Sequence, residues 1–201
     1  MERATVYRAI SAPTALVAGL VALTASAWLR FGSGYHSDWV GTSLWAKSDY
    51  IPVWIVALFL VLAFNTWSLW KDAQKRSAPL YSSGLKLAVR ALAPAFLSAG
   101  ALSIGAMIGS ISPDILCWMW MLFYGLGLLA TQTFAPRSII YLGWAFVITS
   151  FYGLASWLFV STIPTPPIPS ISMMAITFGG YHLLYALLVW SRGKASASIE
   201  I

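Results

Sequence analysis

Six apolar runs, at about residues 9–29, 51–70, 87–110, 115–134, 138–162 and 171–191, take up nearly all of this 201-residue chain. Each is close to the roughly 20 residues that a helix needs to cross the hydrocarbon core of a bilayer. A backbone in lipid must satisfy its own polar groups, so spans of this length are helices. The pattern predicts an all-α, polytopic membrane fold with six transmembrane helices. Its lysines and arginines add a direction. With a cytoplasmic N-terminus, Arg3, Arg8, Lys71, Lys75, Arg76, Lys86, Arg90, Arg137, Arg192 and Lys194 fall on one face, and only Arg30 and Lys47 on the other. Cytoplasmic connections carry the excess of basic residues in membrane proteins, so both termini are expected inside. Residues 1–191 then form one six-helix domain, and 192–201 a polar cytoplasmic tail.

Only 9% of the residues are charged, too few to cover a water-soluble body of this size. The net charge of +6 does not point to nucleic acid, because the basic residues border the spans on one face. Attraction to anionic lipid headgroups explains them, and membrane lipids are the expected partners, with other membrane subunits as further ones. Cys117 is the only cysteine, which leaves no intrachain disulfide and no cysteine metal cluster. Arg3, Arg8 and the small residues Ala25-Ser26-Ala27 imitate a cleavable leader. The expectation is that this segment is retained as span 1.

Arg8-Ala9-Ile10-Ser11-Ala12-Pro13 is echoed by Arg90-Ala91-Leu92-Ala93-Pro94, and Trp54 with Leu58-Phe59 by Trp118 with Leu122-Phe123. Both echoes pair spans of the same direction, as a parallel duplication of a two-helix hairpin would. Between spans 1 and 2, the stretch Ser37–Lys47 fits a short helix on the outer surface. Ile163-Pro164-Thr165-Pro166-Pro167-Ile168-Pro169 reads as a stiff, extended strut. Ala91, Ala95, Ala99 and Ser103 recur every four residues along span 3, and Gly105 and Gly109 add a small pair on a nearby face. Such stripes let helix backbones approach closely.

No acidic residue lies at membrane depth. Asp114 falls in the turn Ser112-Pro113-Asp114, where an Asp caps a helix or closes a turn. That absence weakens a proton-coupled transport reading. No metalloprotease, serine-hydrolase or phosphate-loop motif occurs, so neither a catalytic residue nor a cofactor or metal is expected. His182 is the one imidazole near the midplane. It sits in Gly179-Gly180-Tyr181-His182-Leu183-Leu184-Tyr185. An interhelical hydrogen bond to a Tyr, Ser or Thr is one use for it. A polar ligand contact is another, with Tyr181, Tyr185, Thr177, Asn65 and Trp144 as the other candidate ligand-binding residues. Axial ligation of a haem or chlorophyll is the third. Arg8 and Arg90 are placed to grip a lipid headgroup or to snorkel to the interface. Most tryptophans lie near span ends and suit interfacial anchoring. Trp144 is deeper and is the best tryptophan for a pocket wall.

Phe134-Ala135-Pro136-Arg137-Ser138-Ile139, Leu142-Gly143-Trp144-Ala145-Phe146 and Tyr181-His182-Leu183-Leu184-Tyr185 resemble segments of an uncharacterised group of bacterial multispan membrane proteins found beside winged-helix regulators. The resemblance implies a regulatory or accessory role. The expected function is therefore a non-catalytic integral protein of the bacterial cytoplasmic membrane. It would act as a sensor or accessory subunit that binds a partner, a lipid or an apolar small molecule. A small-solute transporter or channel lined by His182, Thr177 and Asn65 is the first alternative. A haem- or chlorophyll-binding subunit is the second.

Overall fold

Serines start three of the helices. Ser11, Ser82 and Ser112 sit in extended backbone, and each hydroxyl accepts a hydrogen bond from the amide three residues on, at 3.3, 3.2 and 3.3 Å. Such a side chain satisfies one of the amides that a helix start leaves free. Pro13 and Pro113 follow in the first turn, where a missing N–H costs nothing. The computed structural model describes residues 11–32, 44–75, 77, 82–109, 111–158 and 168–197. Its elements are α1 (Ala12–Phe31), α2 (Leu44–Lys75), α3 (Ser83–Ile108), α4 (Pro113–Ala130), α5 (Arg137–Leu158), α6 (Ser170–Met174), a π-helical segment (Ala175–Tyr181) and α7 (His182–Ala197). There is no strand among the described residues. Six stretches are long and apolar enough to cross a membrane: Ala12–Phe31, Asp49–Lys75, Ser83–Ile108, Pro113–Ala130, Arg137–Ser156 and Ser170–Ser191. The last runs unbroken through α6, the π segment and α7. The chain is an all-α, multi-pass membrane protein.

Several boundaries differ from those read off the apolar runs. Span 4 stops at Ala130 rather than near 134. Thr131 turns its hydroxyl back to the Leu128 carbonyl at 2.6 Å, and turns occupy 131–135 before Pro136, which cannot continue a helix. The separate surface helix expected over Ser37–Lys47 is corrected in part: from Leu44 onward the backbone belongs to α2 itself. Residues 37–43 lie outside the described residues, as do Arg8 and nearly all of the proline run. Of the prolines in the duplication echo, Pro13 lies in the first turn of α1 but Pro94 lies inside α3. The echo therefore does not carry the helix boundaries with it.

Packing centres on α1 and α4. α1 contacts α2, the π segment and α7, while α4 contacts α3 and α5. Two glycine crossings set the closest approaches. A Cβ on Gly19 would come within 2.7 Å of Leu183 Cγ and 3.0 Å of the Gly179 carbonyl, so α1 meets the π segment backbone to backbone. A Cβ on Gly125 would come within 2.8 Å of the Gly143 carbonyl, which fixes α4 against α5 in the same way. The small face of α3 meets α4 as expected, at Ala95, which faces Gly127, and at Ser103, which accepts from the Trp120 indole. Gly105 meets nothing. At one end of the bundle, the Asp114 carboxylate leaves its own turn and accepts the Ser170 amide at 3.1 Å, joining the starts of α4 and α6. α2 and α3 are the least buried spans, and they touch each other little. That gap positions the site.

Candidate functional site

The π segment carries the site. Gly179 and Gly180 are poor α-helix formers, and the turn containing them is widened to i→i+5 bonding. π turns occur mostly as single-turn bulges within α-helices, and frequently at functional sites. This one directs Phe178, Tyr181 and His182 toward α4 and α5, where they close around Phe146. Phe146 is fully buried. Its ring lies 4.8 Å from Tyr124, 4.9 Å from Phe178, 5.4 Å from Tyr181 and 5.7 Å from His182, centroid to centroid. Three of the four contacts are edge-on, the arrangement aromatic quadrupoles favour.

The hydrogen bonds within this cluster can be assigned proton by proton. His182, 4% exposed, places Nδ1 2.9 Å from the Phe178 carbonyl. A carbonyl only accepts, so Nδ1 carries the proton and Nε2 is bare. Tyr124 Oη lies 2.7 Å from Nε2 and must be the donor. A second relay runs from Tyr181 to Thr149 at 2.7 Å and from Thr149 to the Ala145 carbonyl at 2.8 Å. A third runs from Trp120 Nε1 to Ser103 Oγ at 2.9 Å and on to the Ala99 carbonyl at 2.7 Å. Each relay ends on a helical carbonyl, the acceptor that lipid cannot replace. With both nitrogens engaged, His182 has no lone pair to offer a metal unless Tyr124 leaves Nε2. Among the described residues no three His, Cys, Asp or Glu side chains group as a metal site.

Beside this cluster, lined by α1, α2, α3, α4 and the last span, is a cavity of about 410 Å³. That volume falls in the range of small-molecule pockets. Its inner wall is Tyr124, Phe178 and His182, with Trp120 and Ser103 alongside. Its outer lining includes Leu58 on α2 and Ile104 and Met107 on α3, all of them exposed side chains. α2 and α3 touch each other little, so the cavity opens between these two helices. Trp54 also contributes to the wall. Its Nε1 is buried with no hydrogen-bond partner among the described residues.

The residues singled out in the sequence divide sharply. His182 lines the cavity. Tyr181 and Tyr185 belong to the same span, Tyr181 tied to Thr149 and Tyr185 buried. Thr177 is fully buried and donates to its own Met173 carbonyl at 2.7 Å, away from the cavity lining. Asn65 is half-buried on α2, one turn beyond Val61, which does line the cavity. Trp144, expected as a pocket wall, is 52% exposed on the outside of α5. Arg90 is exposed on α3, free to reach the interface. Tyr124, Phe146, Phe178, Trp120 and Ser103 were not singled out as site residues. The available signal was Tyr124, a hydroxyl in the middle of span 4 that needed a partner at that depth. No protein-family model matches the chain, nor does any curated protein or solved structure.

Proposed function

We propose that this protein binds an apolar small molecule or lipid chain taken sideways from the bilayer, as a non-catalytic sensor or accessory subunit. The carrying observation is the apolar cavity whose mouth lies between α2 and α3 and whose inner end is the Tyr124–His182 pair. An occupant would bridge two helices that otherwise touch little, so occupancy becomes a separation of α2 from α3 that a neighbouring subunit can read. The exposed apolar faces of those helices suit contact with lipid or with such a subunit. A solute path through His182, Thr177 and Asn65 has less support, because only His182 of the three reaches the cavity. The one-sided distribution of basic residues supports both termini on the cytoplasmic side of the membrane, taken here as a bacterial one, with Arg90 near lipid headgroups.

Photolabelling tests this reading. An alkyl chain with a mid-chain diazirine, added to the protein in vesicles, should crosslink to cavity-wall residues such as Phe96 and Phe123. Filling the cavity by Ala99→Phe, or by Gly100→Leu where a new side chain meets open space, should abolish that labelling. Label confined to outward-facing side chains, unchanged by either substitution, would sink the proposal.

A further inference from the structure

The cavity wall has a hydrogen-bonding polarity. On it, each side-chain proton that a ligand could use is already committed. The Tyr124 hydroxyl donates to His182 Nε2, and His182 Nδ1 donates to the Phe178 carbonyl. Trp120 donates to Ser103, and Ser103 to the Ala99 carbonyl. The remaining N–H, on Trp54, is buried out of the open volume. What is left on the polar side chains that line the cavity is accepting capacity alone: a lone pair on Tyr124 Oη and one on Ser103 Oγ. An acceptor-only wall in an apolar pocket discriminates by the ligand's protons. A ketone, ether or ester would set its lone pairs against these oxygens and leave both sides unsatisfied, which is costly where water is absent. A hydroxyl or N–H would satisfy them.

We infer that the natural ligand is a neutral, apolar-bodied molecule carrying one hydrogen-bond donor, an O–H or N–H, which it gives to Tyr124 Oη or Ser103 Oγ. This inference rests on the reading of the cavity as a binding site.

The test is competition against the diazirine alkyl probe by two near-isosteric molecules, 1-dodecanol and dodecyl methyl ether. Each affinity is normalised to partition into protein-free vesicles of the same lipid. The alcohol should compete about three- to tenfold better, the scale of one hydrogen bond at membrane depth. In His182→Leu the Tyr124 proton is released toward the cavity, so the ether should gain and the ratio should fall toward one. If that variant does not fold, the comparison on the native protein still decides. Equal competition, a preference for the ether, or no competition by the alcohol overturns the donor assignment and leaves the binding site standing. Absence of any probe crosslinking to the cavity wall overturns the binding reading itself.

Discussion

His182 and Phe146 illustrate how differently two buried residues of one cluster contribute. His182 makes two hydrogen bonds, one to a neighbouring span and one to its own. Interhelical bonds in membranes average only about 0.6 kcal/mol, because a chain unfolded in lipid also finds partners. Phe146 makes no hydrogen bond from its side chain but touches four rings. Emptying such a position costs about 3–5 kcal/mol, since the loss of contacts is compounded by a void. The expectation is that His182→Leu lowers the unfolding midpoint in detergent slightly and Phe146→Ala lowers it much more. The reverse order would show that the polar relay, not ring packing, holds the last span in place. Only part of this was visible in the chain itself. The depth of His182 follows from its distance to the ends of an apolar run. Its partner does not, because nothing local says that span 4 lies beside span 6. Trp144 failed for a related reason: depth along a helix says nothing about which face points inward, and α5 turns Trp144 outward while turning Phe146 in.

At the scale of the helices, the runs and charges made the number and approximate extent of the spans legible, because both follow from solvation in lipid. Crossing points were less so. The sequence offers glycines in several spans, but only some sit at contacts. Gly125 lies at a backbone crossing with Gly143, whereas Gly105, marked by its spacing as an interface residue, meets open space. Gly125→Val should force α4 from α5 and destabilise the protein by about 1–3 kcal/mol, the usual cost of overpacking. Gly105→Ala should leave the unfolding midpoint unchanged or raise it, since a helix gains from losing a glycine. Equal losses in the two variants, measured by thermal unfolding in the same detergent, would contradict the assigned crossing. The π segment was the least legible element. Gly179-Gly180 signalled a weak place in the helix, but not that Leu23 and Gly19 of α1 pack closely against it.

For the molecule as a whole, the bundle is asymmetric in a way that bears on function. α1, α4, α5 and the last span form a well-buried body, and α2 and α3 lean on it with a gap between them. On the proposed reading, this gap leads lipid-soluble molecules, rather than water, to the Tyr124–His182 pair. Radiolytic hydroxyl-radical footprinting of the protein in vesicles tests this directly, because the radicals form from water and mark only side chains that water reaches. Met174, Phe178 and Tyr124 all line the cavity; hydroxyl radical oxidises a thioether and adds to aromatic rings, so all three report on water. All three should stay unmodified at doses that fully mark a water-soluble reference peptide in the same sample. Oxidation of Tyr124 and Phe178 at those doses would place water at the midplane and contradict it, in favour of a path for dissolved solutes.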